Sequence, residues 1–219
     1  ERNFNVVSDY TAISDLGTAT AGTININGNN HSIDLNSNNG IQLANQTALN
    51  FNDVTVGGNT TLVSATTSDA TIGLNNVTLN GNISGAGNNV AISGNTKLNG
   101  VFTNTNTTFS NGTLSFNENT FADSNNTLNV TGGTVNLADG VTTNYVINSL
   151  TSSEDASYSL DVIFSGTTGV ADTILASSNS SGVITINSIK FNGNLTQDTT
   201  ITILDTKSDS ISIKLSDIL

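Results

Sequence analysis

The sequence contains no proline, cysteine, methionine or tryptophan, and charged residues make up only 10% of it. Each absence removes something. Without cysteine there is neither a disulfide framework nor a thiolate metal site. With a single histidine, His31, paired-imidazole zinc chemistry is excluded, and Ser–His–Asp catalysis has no supporting motif. Five basic residues against a net charge of −12 argue against binding nucleic acid or anionic lipid. No apolar run approaches the length that spans a bilayer as a helix, so no membrane insertion of this segment is expected. The chain opens on Glu rather than Met, which suggests a mature product or an excised segment. Without proline, most backbone N–H groups remain free to serve a strand ladder.

What remains is Asn, Thr, Ser, Gly, Val, Ile and Leu, spread over 219 residues. Val, Ile and Thr favour strands, and Asn and Gly favour turns. A disordered Asn/Ser/Thr tract is the bland alternative. The apolar residues oppose it, because they recur in apolar-x-apolar pairs from residue 23 to about 147. These are Ile24/Ile26, Ile33/Leu35, Ile41/Leu43, Leu49/Phe51, Val54/Val56, Ile72/Leu74, Val77/Leu79, Val90/Ile92, Leu114/Phe116, Leu128/Val130, Val135/Leu137 and Tyr145/Ile147. Each triplet puts both apolar side chains on one face of a short strand.

An internal repeat orders the pairs. The stretch Leu49-Asn50-Phe51-Asn52-Asp53-Val54-Thr55-Val56 matches Ile72-Gly73-Leu74-Asn75-Asn76-Val77-Thr78-Leu79 at an offset of 23, with a looser copy from Leu128 to Leu137. A period near twenty predicts one coil of a three-faced solenoid, whose stacked coils form parallel sheets. The expected fold class is therefore all-β, a right-handed parallel β-helix (β-solenoid) with an N-terminal cap and a C-terminal β-rich cap. Asn-Gly at 27–28, 39–40, 80–81, 99–100, 111–112 and 192–193 suits corners that need unusual backbone angles. In an antiparallel protein the same dipeptides signal hairpins, which is the competing architecture. Stacked Asn side chains predict amide ladders between coils.

Three segments follow. Residues 1–22 read as an N-terminal cap, with a strand around Phe4, Val6 and Val7 and a short capped helix over 8–17. Residues 23–147 are the coils. Residues 148–219 read as a C-terminal β cap with a hairpin component. There the charge rises to eight acidic and three basic residues over 151–219, and strands such as Tyr158/Leu160/Val162 and Ile211/Ile213/Leu215 alternate more strictly.

Several stretches resemble the passenger domains of bacterial autotransporters and related β-helical adhesins. They are Val54-Thr55-Val56-Gly57-Gly58-Asn59-Thr60-Thr61-Leu62, Thr131-Gly132-Gly133-Thr134-Val135-Asn136-Leu137 and, in the closing region, Leu160-Asp161-Val162, Ala171-Asp172-Thr173-Ile174 and Gly182-Val183-Ile184-Thr185-Ile186. The resemblance implies a secreted or cell-surface location. It implies as partners the glycans or proteins of host or neighbouring cells.

No catalytic, cofactor-binding or metal residue is assigned, no cofactor is expected, and the chain is read as not an enzyme. A glycan-cleaving β-helix is the enzyme alternative, and it needs clustered carboxylates, with a basic residue for lyase chemistry. The acidic supply in the coils is Asp34, Asp53, Asp69, Glu118, Asp123 and Asp139, and the only basic residue there is Lys97. Isolated turn carboxylates are the plainer reading. His31 reads as a turn residue, and Asp161, Asp172 and Asp205 as solvated cap residues rather than a calcium site. Thr103, Thr105 and Thr107 form one row, without the repeat that an ice-binding array needs. Asn76-Val77-Thr78 and Asn129-Val130-Thr131 are sequons expected by chance. Head-to-tail self-association through the end strands is a further alternative, set against those strands capping their own core.

Overall fold

The computed structural model describes residues 1–12, 17–36, 40–44, 46–177 and 179–216. Among them there is no helix, and the chain winds as a parallel β-helix of three faces. On the first face Ile24 lies beside Leu49, Leu49 beside Ile72 and Ile72 beside Val90. The ladder continues through Thr107, Leu128 and Leu150. The second face runs through Ile33, Val56, Leu79, Leu98 and Phe116. It continues from Leu114 through Val135 and Tyr158 to Ile186. The third runs from Leu43 and Ala65 past Ile83 and Phe102. It resumes through Phe121, Ile147 and Ala176 to Thr206.

The apolar pairs supply the core. Leu49, Ile72, Val77, Leu79, Leu114, Leu128 and Val135 are all at most 1% exposed. They belong to one continuous cluster that runs from Ile33 to Ile211. A single coil has too little apolar surface to fold alone, and each rung buries the face of the next. The repeat of Leu49–Val56 on Ile72–Leu79 is the parallel register itself, residue for residue on both strands.

One corner, between the first and second faces, sets the direction of every coil it serves. Asp53, Asn76, Gly94, Gly112 and Gly133 stack there with φ of 51°, 54°, 64°, 88° and 77°. Asn, Asp and Gly are the residues that tolerate this left-handed backbone at least cost. The Asn76 amide donates to Asp53 at 2.9 Å and accepts from the Asn95 backbone at 2.8 Å, so the corner is tied to both neighbouring coils.

Two expectations change. The helix over 8–17 does not form in its described part. Tyr10–Thr11 is a strand paired in parallel with Ile33 and Asp34, while residues 13–16 lie outside the described residues. Parallel pairing of Tyr10–Thr11 with the next coil overrides the capping pattern there. The parallel ladder also does not stop at residue 147. Leu150–Ser152, Ala156–Gly166, Thr173–Ala176, Ser181–Leu195, Leu204–Thr206 and Ile211–Leu215 extend it. The coils lengthen there, from 17–19 residues midway to 30 at Leu150/Ser180. The hairpin component is Ala156–Gly166 with Thr168–Ala171, the one antiparallel pairing among the described residues.

Candidate functional site

Two surfaces carry the polar chemistry. The first is the exterior of the first face. Between its inward apolar positions lie Asn3, Asn25 and Asn50, and beside them Asn5, Asn27 and Asn52. Asn25 donates to Asn3 at 2.7 Å and Asn50 donates to Asn25 at 2.8 Å. Asn27 donates to Asn5 at 3.0 Å and Asn52 to Asn27 at 3.3 Å. An amide has both donors and an acceptor, so identical side chains satisfy one another at the spacing of a parallel sheet. Gly73 follows Asn50 in one column, where a Cβ would lie 2.4 Å from the Asn50 Oδ1. The result is a shallow, uncharged depression bordered by Asn25, Asn50, Asn52, Asn75 and Ser93.

The second surface is a groove of about 460 Å³ at the corner between the second and third faces. Three turns stack to make it: 99–101, 117–120 and 139–143. The upper wall is Asn82, Asn99 and Val101, and the lower is Asp139, with Glu118 between. Asn82 Oδ1 accepts from the Val101 backbone at 2.8 Å, and Asn99 donates to Asn80 at 2.7 Å. Gly100 fits because a Cβ there would lie 2.0 Å from the Gly81 carbonyl oxygen. Glu118 accepts from the Asn119 amide at 3.1 Å. The base of the groove is aromatic. Phe116 and Tyr145 meet edge to face at 5.7 Å, and Phe121 packs edge-on behind Phe116 at 5.1 Å.

The wall at 139–143 is held from inside by two carboxylates. Asp172 Oδ1 accepts from the Thr143 backbone at 2.9 Å and its Oδ2 accepts from the Asp161 backbone at 2.7 Å. Asp161 Oδ2 accepts from the Gly140 backbone. Asp139 turns back on its own loop and accepts from Val141 at 2.9 Å. Asp172 and Asp161 are 0% and 2% exposed. Burial pushes the Asp172 carboxyl up to about 6, and the negative charges of Asp161 and Asp139 add to the rise. The bonds from Asp161 and Thr143 pull the other way. Burial also raises the Tyr145 phenol, with Asp172 and Asp139 adding to it. The phenol donates to the Leu137 carbonyl at 3.3 Å.

Of the coil carboxylates, the structure brings Glu118 and Asp139 to one groove and leaves the others apart. Asp34 accepts from Asn36 at 2.7 Å, Asp53 from Asn76 at 2.9 Å, and Asp123 from Asn104 at 3.1 Å and Asn125 at 3.0 Å. The bonds from Asn36 and Asn125 cap turns, and those from Asn76 and Asn104 tie neighbouring coils. Hydrogen bonds from the Thr67 side chain and the Gln46 backbone lower the Asp69 carboxyl. His31 Nδ1 sits 3.5 Å from Asp9 at the surface. Lys97 is exposed on the second face beside Thr78 and Ser115. Asp205 is exposed and separate from Asp161 and Asp172, which are buried rather than solvated. The threonine row divides, with Thr103 outward and Thr105 and Thr107 buried and bonded to each other at 3.2 Å. The described residues hold no group of three or more His, Cys, Asp or Glu placed to bind a metal ion. Asn82, Asn99, Thr143 and the Asp161–Asp172 clamp escape sequence reasoning, because each comes from a different coil and no local motif joins them.

Comparison with protein-family models, curated proteins and solved structures finds no match to this chain.

Proposed function

We propose that this chain is an extracellular or cell-surface structural and adhesive β-helix. It lays glycan or protein surfaces against its amide-lined exterior and also serves as a rigid spacer. The observation that carries this reading is the Asn3–Asn25–Asn50 and Asn5–Asn27–Asn52 ladder. It is a broad polar surface of amides, with the Glu1 carboxylate accepting from Asn25 at its edge, fixed to a continuous core. Prealigned side chains lose little entropy on binding. The resemblance of Val54–Leu62 and Thr131–Leu137 to autotransporter passengers supports the location. Low positive charge turns the partner away from nucleic acid and anionic lipid.

The test is retention of the fluorescently labelled intact chain on living cells, with competition by added soluble glycans and a parallel assay for depolymerised product. Saturable retention without product is expected. Failure to be retained on any cell type overturns the adhesive part.

A glycan-cleaving activity is the second reading, favoured by one observation: Glu118 and Asp139 line the same groove. Paired carboxylates are the machinery of glycoside hydrolysis. Product release that disappears in both Glu118→Gln and Asp139→Asn would put this reading first.

A further inference from the structure

We propose that the corner groove beneath Asn99 and Val101 is a binding subsite for an uncharged oligosaccharide. This rests on the adhesive reading and gives it an address.

Four observations converge on that chemistry. The groove's volume of about 460 Å³ lies in the range of small-molecule sites. Its polar lining is amides, carboxylates and the hydroxyl residues Thr120, Thr143 and Tyr145, and no Lys, Arg or His is among the lining residues. Acidic sugars and phosphates therefore meet no cation within the lining, the Lys190 ammonium lying near Gly140 in the adjoining turn. A sugar hydroxyl both donates and accepts. It donates to Glu118, Asp139 and the Asn99 Oδ1, accepts from the Asn82 Nδ2, and does either at the Asn117 side chain; the Asn82 Oδ1 is already bonded to Val101 and the Asn99 Nδ2 to Asn80. Val101, 40% exposed, gives the C–H face of a pyranose ring an apolar contact at the rim.

The fourth observation is where the fold places its most costly groups. Burying carboxylates is unfavourable, and those that persist are held by hydrogen bonds. Asp161 and Asp172 direct theirs to the backbone of Gly140, Thr143 and Asp161, which fixes the wall bearing Asp139. A binding site needs such support behind the residues that touch ligand. The opposite wall is fixed by Asn82 on Val101 and by Asn99 on Asn80. The groove is thus rigid on both sides before any ligand enters.

The experiment is calorimetric titration of the intact chain with cellohexaose, chitohexaose and mannohexaose. Hexagalacturonate and hexalysine are the anionic and cationic counterparts. Val101→Arg and the double variant Glu118→Gln/Asp139→Asn are titrated alongside. Both alter the groove's exposed lining, and thermal melts of each verify the fold. At least one neutral hexasaccharide is expected to bind, and either variant is expected to weaken it by about tenfold or more. Binding of hexalysine alone, binding of no probe, or neutral binding untouched by both variants overturns the proposal. Cell retention of the same variants separates the two readings. Retention that survives loss of oligosaccharide binding moves adhesion to another face. Loss of retention by the wild-type chain itself removes the adhesive reading instead.

Discussion

Asp161 and Asp172 hold each other by their backbones as well as by a side chain. The Asp172 N–H donates to the Asp161 carbonyl at 2.9 Å, and the Asp161 N–H donates to the Asp172 carboxyl at 2.7 Å. This reciprocal pair closes the base of the antiparallel hairpin formed by Ala156–Gly166 and Thr168–Ala171. It also holds the wall of the groove.

The pair makes stability depend on pH in an unusual direction. Asp172 is raised from 3.8 to about 6 in the folded chain, with Asp161, Asp139 and Tyr145 as the ionisable groups around it. Between those values the folded state keeps a proton that the unfolded state releases. The contribution is therefore full below about 3.8, falls as pH rises towards 6, and is absent above. Its size is on the order of 1–3 kcal/mol. Asp9 and Asp69 are lowered from 3.8, so their contributions are lost only as pH falls below it and do not overlap this window. Thermal melts should give a higher midpoint near pH 4.5 than near pH 7. Asp172→Asn should melt earlier at pH 4, because an amide nitrogen replaces one acceptor. It should also flatten the slope between pH 4 and 6. An equal slope in the variant would remove Asp172 as its source.

Val77 tests the register of the coils. It is 0% exposed and stands beside Val54, and its N–H donates to the buried Thr96 hydroxyl at 3.2 Å. Val77→Asp buries a charge with no partner and should cost about 3–5 kcal/mol. Asn52→Ser and Asn75→Ser lie on outward positions and should cost under about 1 kcal/mol. Denaturant titration of the three variants checks the ranking. An unchanged midpoint for Val77→Asp would contradict the inward assignment.

That register was legible in the sequence, for a physical reason. A parallel coil repeats its inward pairs at the spacing of one turn, so Leu49/Phe51 and Ile72/Leu74 announce their own pairing. The groove was not legible. Asn82, Asn99, Glu118 and Asp139 meet only because particular coil lengths place them at one corner, and coil length varies from 17 to 30 residues along the chain. An error of a single residue in any intervening turn would move a side chain to the other side of the sheet. Glu118 and Asp139 could be named as carboxylates but not as neighbours. Asp161 and Asp172 read as solvated from their cap-like surroundings, and only the hairpin between them explains why they are buried.

Gly94 tests the left-handed corner. Its φ is 64°, and a Cβ would lie 2.2 Å from the Asn76 Oδ1 that accepts from Asn95. Gly94→Ala therefore strains the backbone and displaces an amide that joins two coils. The expected cost is about 1–3 kcal/mol. Gly57→Ala is the comparison. That glycine has no positive φ, and its nearest contact would be the Asn80 Cβ at 3.3 Å. A smaller loss of stability is expected there. Equal losses would mean that the left-handed backbone contributes little to the cost.

Phe121 links the core to the groove. It is 0% exposed and meets Phe102 edge-on at 5.4 Å and Phe116 edge-on at 5.1 Å. Along the third face it stands between Phe102 and Ile147. Phe116 in turn meets Tyr145, and these two rings form the base of the groove. Each edge-on pair contributes about 0.5–1.5 kcal/mol beyond simple burial. Phe121→Leu keeps an apolar group but removes both ring contacts, so a loss of about 1–3 kcal/mol is expected. The same change lets Phe116 settle into the vacated space and carries Tyr145 with it. Oligosaccharide affinity should therefore fall in a variant whose substituted residue touches no ligand. Melting and calorimetry on one preparation check both effects. A variant that loses stability but binds as tightly as the wild type would show that the aromatic base does not position the groove.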